Sequence, residues 1–93
     1  MNYSEAYFNT YQNLPEKLAK QYANLRFDNH CYLRIALDNT FKAKWDTVIK
    51  RPAYKNLSGE QKNKVLSLLQ KYQSDQELLL IHNQNSLRWR KKN

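Results

Sequence analysis

Polar side chains that could act together are spaced at helical intervals in two segments of the sequence. His30, Arg34 and Asp38 follow one another at intervals of four residues, so in a helix they would line one flank. Near the C-terminus, His82 and Asn85 share a helical stripe with three apolar residues, namely Leu78, Ile81 and Trp89. If the two helices pack together, His30, Arg34, Asp38, His82 and Asn85 would form one polar cluster.

Three kinds of chemistry are open to a cluster of this composition. The plainest is a hydrogen-bonded clasp that fixes the register of two helices, because a buried arginine or aspartate needs a partner. A pocket for a small polar or anionic group is the second interpretation, and acid–base catalysis by a histidine is the third. The catalytic interpretation lacks a nucleophile and a glycine-rich oxyanion loop, so we predict that the protein is not an enzyme.

The scarcity of cysteine and glycine argues against several kinds of site. Cys31 is the only cysteine, which leaves no intramolecular disulfide and no multi-cysteine metal site. Neither an HxxxH pair nor a cluster of carboxylates is present, so we expect no bound metal. Gly59 is the only glycine, and it cannot supply a P-loop or a dinucleotide-binding fingerprint. We therefore expect no cofactor.

Two stretches of the chain combine basic with aromatic residues. The first surrounds Trp45 and Tyr54 and contains Lys42, Lys44, Lys50, Arg51 and Lys55. The second surrounds Trp89 and contains Arg88, Arg90, Lys91 and Lys92. Residues 42–93 hold twelve basic and four acidic side chains, and so account for the whole net charge of +8. Lysine and arginine neutralise phosphates and release counterions, which gives affinity without sequence specificity. The asymmetry is typical of a protein with a polyanionic partner, or simply of a very soluble protein face.

We therefore predict a small basic binding protein that contacts nucleic acid, or a nucleoprotein complex, through these two stretches without reading sequence. A helix-turn-helix repressor is disfavoured, because the helix that follows QSDQ at 73–76 would present LLLI where base contacts are expected. The alternative is a protein-interaction module (an inhibitor, an antitoxin-like factor or a complex subunit) that docks on an acidic protein through the same surface.

The two tryptophans have spacings that suit a helical core. We expect Trp45 and Trp89 to pack inside the protein and not to stack on bases. Trp89 would then be the last anchor of the core, and Arg90, Lys91 and Lys92 would form an outward or frayed helix end that the helix dipole favours.

Helical periodicity predicts an all-α fold, a compact bundle of four to five helices in a single domain over residues 1–93. An early helical segment is followed by a restart at Asn13-Leu14-Pro15-Glu16, where Asn13 could cap and Pro15 could occupy the first turn. Asp28 and Asn29 open a central helix over about 29–42 that is apolar on several faces, as an enclosed helix would be.

Two later helices begin at capping-box patterns. These are Ser58-Gly59-Glu60-Gln61 and Ser74-Asp75-Gln76-Glu77, and the second opens a C-terminal helix over about 75–90. The longest apolar run is LLLI at 78–81, and the N-terminus has neither a basic n-region nor an apolar h-region. We therefore expect a cytoplasmic protein without membrane contact.

Overall fold

The structure, a computed structural model, describes the backbone of residues 3–91 and the side chains of residues 9–91. Within that range the chain forms five α-helices and no strand, which confirms the all-α bundle: α1 (Tyr3–Gln21), α2 (Asn29–Phe41), α3 (Ala53–Asn56), α4 (Gly59–Ser74) and α5 (Gln76–Arg90). Two short 3₁₀ turns, Ala23–Leu25 and Trp45–Thr47, follow α1 and α2 respectively.

The first helix does not stop at the proline. The predicted restart at Asn13 is wrong, because α1 is continuous from Tyr3 to Gln21 with Pro15 in its interior. A proline inside a helix removes one backbone hydrogen bond and is costly. Here Pro15 is buried, and Leu14 and Leu18 beside it are buried as well. Burial of this apolar face offsets the missing bond, so packing overrides the local signal.

Helix α2 is the central element. It packs against α1, α4 and α5, and its buried residues include Tyr32, Ile35, Ala36 and Leu37. The carboxylate of Asp28 accepts a hydrogen bond from the backbone N–H of Cys31 at 3.0 Å, which satisfies one of the donors at the helix start. The predicted central apolar helix is thereby confirmed.

The caps of the two last helices differ from each other. Ser58 and Gln61 form a reciprocal capping box at the start of α4, as predicted, with hydrogen bonds of 2.8 and 3.2 Å. At α5 the prediction of a box led by Ser74 is wrong, because Asp75 is the capping residue and accepts from the N–H of Leu78 at 3.0 Å. Ser74 still belongs to α4, so the two helices meet at Asp75 alone.

Helix α5 presents a different face to the core than the apolar pattern suggested. Its buried residues are Leu79, Asn83 and Ser86, whereas Ile81 is 50% exposed. The inward face is therefore centred one position after the predicted stripe, a rotation of about 100° in a helix of 3.6 residues per turn. The reason is hydrogen bonding across the interface, because α2 presents polar side chains there and the polar residues of α5 face them.

The segment between α2 and α4, residues 42–58, is called here the connector. Lys42 ends α2 with a left-handed φ of 56°, and the 3₁₀ turn Trp45–Thr47 follows. The Arg51–Pro52 peptide is cis, and α3 is a single turn whose Ala53 is buried. Trp45, Ile49 and Tyr54 are partly buried against the core, so the connector is fixed to the bundle.

Candidate functional site

One buried carboxylate joins the connector to the end of the last helix. Asp38 on α2 is fully buried. Its Oδ2 accepts hydrogen bonds from Ser86 Oγ at 2.6 Å and Arg90 Nε at 2.7 Å. Its Oδ1 accepts from the backbone N–H of Trp45 at 2.9 Å and from Arg90 Nη2 at 3.1 Å. This set of four hydrogen bonds holds residues 45 and 90 at the same side chain.

Arg90 is consequently an inward residue, and its interpretation as part of an outward or frayed helix end is wrong. Its side chain is only 25% exposed, and its guanidinium forms a two-pronged ion pair with Asp38. Trp89, predicted as the last anchor of the core, is half-buried and lies outside the apolar core cluster. Arg90 is therefore the anchor at this end of α5.

A second carboxylate, that of Asp46, is paired with basic residues of the connector. Asp46 is hydrogen-bonded by Arg51 and lies 4.0 Å from Lys44 Nζ. The hydrogen bond from Arg51 lowers the pKa of Asp46, and the charges of Lys44, Arg51 and Arg90 lower that pKa further. Arg51 also lies over the ring of Trp45, with 5.4 Å from its guanidinium carbon to the ring centroid. Basic residues from the connector and from α5 thus share one neighbourhood.

We call the two stretches, joined here by Arg51, Lys44 and Arg90, the basic end, and define it by their eight described basic residues: Lys42, Lys44, Lys50, Arg51, Lys55, Arg88, Arg90 and Lys91. All but Lys44 and Arg90 belong to the exposed class. Arg88 makes a long hydrogen bond of 3.4 Å to Asn85. Lys92, which the sequence assigned to the same surface, lies outside the described residues.

The five residues of the predicted polar cluster do not join in one hydrogen-bonded group. Arg34 donates from Nη2 to Asn83 Oδ1 at 2.8 Å, while Asp38 pairs with Ser86 and Arg90. The clasp between α2 and α5 keeps Arg34 and Asp38 on α2, but the partners of these two residues on α5 are Asn83, Ser86 and Arg90, each next to a predicted position.

Asn85 belongs to a separate hydrogen-bonded group. Its Nδ2 donates to Asn39 Oδ1 at 3.4 Å, and Asn39 Nδ2 in turn donates to the backbone carbonyls of Ile35 and His82 at 2.8 and 2.9 Å. Sequence reasoning missed Asn39, Asn83 and Ser86. A usable signal was present, because Asn83, Ser86 and Arg90 recur on α5 at helical intervals of three and four residues.

The two histidines have different surroundings. His82 faces α4, where its Nδ1 lies 2.7 Å from the hydroxyl of Tyr72. Loss of hydration lowers the pKa of His82, and the charges of Lys64 and Lys71 lower it further. His30 is exposed in the first turn of α2, next to the capping carboxylate of Asp28.

A cleft of about 790 Å³ opens beside the basic end. Its walls come from α1, α2 and the connector, and Arg90 contributes to the lining from α5. The Nε atom of Arg34 is buried and has no hydrogen-bond acceptor among the described residues. The lining combines guanidinium groups with apolar and aromatic surface, and includes Arg34, Arg51, Tyr11, Trp45, Pro52 and Tyr54.

Comparison of the chain with protein-family models, with curated proteins and with solved structures found no match. None of the helices within residues 3–91 combines the length and the apolar character needed to cross a membrane. Among the described side chains, those of residues 9–91, no three from histidine, cysteine or acidic residues come close enough together to hold a metal ion.

Proposed function

We propose that this protein binds nucleic acid through the phosphate backbone, without sequence specificity, at the basic end. The observation that supports this most directly is the double attachment of Asp38 to Trp45 and Arg90. It joins two basic stretches, separated by more than thirty residues in the chain, at Trp45 and Arg90. Two stretches held together can contact more phosphates than either stretch alone.

The basic residues of the basic end differ in whether a carboxylate of the protein is paired with them. Arg90 is paired with Asp38, and Arg51 with Asp46. The other six basic residues carry the remaining charge, and five of them are in the exposed class: Lys42, Lys50, Lys55, Arg88 and Lys91. Exposed lysines on flexible stems suit phosphate contact, whereas base reading needs side chains held against a groove.

Titration across a salt series tests the proposal. Fluorescently labelled duplex DNA and single-stranded RNA would be titrated with the protein from low to moderate salt. Contact with about five phosphates of a B-DNA duplex predicts a slope near −4.5 in a plot of log affinity against log salt. The absence of binding at low salt would overturn the proposal.

A matched pair of charge variants locates the surface. In the first variant Lys50, Lys55, Arg88 and Lys91 are replaced by glutamine, and in the control Lys17, Lys20, Lys64 and Lys71 are replaced. Both lose four charges from exposed positions. The first should weaken binding uniformly across sequences and flatten the salt slope by about 3 to 4, whereas the control should keep most of the slope. Equal losses would contradict a defined binding surface.

A second candidate function, docking on an acidic protein, has support from the outer face of α5. Leu80, Ile81 and Leu87 are 39, 50 and 45% exposed on this face, and Arg88 lies beside them. An apolar centre with a basic margin resembles the anatomy of protein interfaces. An amphipathic peptide of glutamate and leucine should then shift the amide resonances of α5, and Leu87→Ser should abolish those shifts while nucleic-acid binding is retained.

A further inference from the structure

The guanidinium of Arg34 has no negatively charged partner in the described part of the chain. The ion pairs found there engage Asp38 and Asp46, and none involves Arg34. Its one hydrogen bond goes to the neutral amide of Asn83, and its Nε is buried without an acceptor. A partly buried cation without a counter-charge is unfavourable, and an anion in the adjoining cleft would relieve that cost.

The walls of the cleft suit a flat apolar body attached to that anion. Leu33 and Leu37 of α2, Pro15 of α1, and Trp45 and Pro52 of the connector all contribute to the lining. The volume of about 790 Å³ falls in the range of pockets that enclose small organic ligands. Aromatic and proline side chains offer flat surfaces against which a heteroaromatic ring can pack.

The charges along the cleft give it a direction. Asp28 caps the start of α2, and Glu16 lies on the α1 wall, whereas Arg34 lies further along α2 and Arg90 is held by Asp38 one turn beyond it. An anion is therefore disfavoured near Asp28 and favoured toward Arg34. Arg51 and Arg90 belong both to the basic end and to the lining of the cleft, so a strand bound at the basic end could place one nucleotide in the cleft.

We infer that the cleft binds one nucleotide, with its phosphate on Arg34 and its base packed against the apolar walls. This inference rests on the proposed function, because the nucleotide is taken as the repeating unit of a single strand bound at the basic end. The same chemistry is offered by a free mononucleotide. A duplex cannot offer it without unpairing a base, so single strands should gain an interaction that duplexes lack.

Four probes separate these sources: adenosine monophosphate, adenosine, a single-stranded oligonucleotide and a duplex of the same length. Each would be titrated into ¹⁵N-labelled full-length protein and followed through amide and arginine Nε resonances. We expect adenosine monophosphate and the single strand to shift Arg34 Nε and the amides of residues 33–37 and 53–54. Adenosine should bind more weakly, and the duplex should shift the basic end alone.

Matched substitutions test the two halves of the cleft separately. Arg34→Gln should weaken binding of adenosine monophosphate about 10- to 100-fold, as expected for loss of a charged hydrogen bond, whereas Arg26→Gln at an exposed position should not. Arg34 also contacts α5, so a second variant leaves it intact. Gln12→Trp places bulk at the α1 wall of the cleft and should block binding, whereas Asn13→Trp, at an exposed neighbour outside the lining, should not.

Each outcome has a defined consequence. Shifts at Arg34 that Gln12→Trp abolishes support the nucleotide site. Equal binding of adenosine and its monophosphate would overturn the role of Arg34, and absence of cleft shifts with both the mononucleotide and the single strand would overturn the site. If duplex binding persists in that last case, the proposed function stands alone. If the mononucleotide binds and neither strand nor duplex does, the proposed function fails and the nucleotide site remains.

Discussion

Two arginines in the last turn of α5 have opposite surroundings. Arg88 is exposed, whereas Arg90 is bonded through two nitrogens to the fully buried Asp38. In the sequence both belong to the same basic run, although only Arg90 continues the helical spacing of Asn83 and Ser86. What separates them is the partner that α2 places opposite one and not the other, which is a property of the assembled fold.

Stability measurements on the two arginines should differ sharply. Arg90→Ala leaves the carboxylate of Asp38 buried without its counter-charge, so we expect a loss of about 3 kcal/mol in the free energy of unfolding in urea. Arg88→Ala removes an exposed side chain and should change that free energy by less than about 0.5 kcal/mol. In a double-mutant cycle, Asp38→Ala combined with Arg90→Ala should cost less than the sum of the single losses. Additive losses would show that the pair is not coupled.

His82 gives the protein a stability that depends on pH. Because burial, Lys64 and Lys71 lower its pKa below the ordinary 6.5, the folded protein holds this proton more weakly than the unfolded chain. Stability from this site is therefore complete above pH 6.5 and is lost as the pH falls below it. In the tautomer with the proton on Nε2, Nδ1 accepts from the hydroxyl of Tyr72, and protonation at Nδ1 would remove that acceptor.

The measurement is the urea midpoint between about pH 5 and 8, the range in which histidine titrates. His82→Gln should flatten the fall in stability on the acidic side. His30→Gln changes an exposed histidine and should leave that fall unchanged. The same acidic slope in all three proteins would contradict the assignment to His82.

At the scale of elements, the sequence predicts helices well where the signal is local. The capping box at Ser58 and the cap at Asp28 both form as predicted, because a cap depends on residues three or four positions away. Pro15 was misinterpreted because its effect on α1 depends on burial against the rest of the bundle. A local rule describes the cost of the missing hydrogen bond, but not what offsets it.

The orientation of α5 could not be predicted from its apolar residues. Leucine and isoleucine occur on several faces of this helix, so the apolar periodicity does not identify one inward face. The polar residues determine which face of α5 is buried. They hydrogen-bond across the interface with α2, where Arg34 contacts Asn83 and Asp38 contacts Ser86 and Arg90. Burial of polar groups without those partners would cost more than exposure of leucines.

Two aliphatic substitutions on α5 check this orientation. Leu79 is fully buried, so Leu79→Ala should lower the free energy of unfolding by about 2 to 5 kcal/mol. Ile81 is 50% exposed, so Ile81→Ala should lower it by less than about 1 kcal/mol. The reverse order would mean that α5 presents the face suggested by the apolar stripe.

Positive charge is concentrated in the basic end, and repulsion among these like charges should lower the stability of the folded protein. The basic end holds eight of the sixteen basic residues of the chain, and within residues 9–91 their ion pairs are with Asp38 and Asp46. The sequence predicted both basic stretches, but their meeting depends on Asp38, whose partners lie 48 and 52 positions further along the chain. Periodicity cannot report a contact over that separation.

Salt should therefore stabilise the protein at low ionic strength. Screening reduces repulsion among like charges over distances near the Debye length, about 10 Å at 0.1 M. We expect Tm to rise when sodium chloride is raised from about 0.01 to 0.2 M, the range over which that length shortens most. Replacement of Lys50, Lys55, Arg88 and Lys91 by glutamine should raise Tm at low salt and reduce the rise. An unchanged salt response in that variant would mean that these residues do not repel one another appreciably.

The position of the Asp38 pair in the chain also bears on the lifetime of the folded state. Each helix can form from neighbouring residues, whereas the contacts of α5 with α2, like those of α4 with α1, close loops of about fifty residues. We expect these contacts to form after the rate-limiting step. Arg90→Ala should then accelerate unfolding and leave the folding rate nearly unchanged in a chevron plot. One side chain in the last turn of α5 would thus govern how long the bundle stays closed, and with it how long the two basic stretches remain side by side.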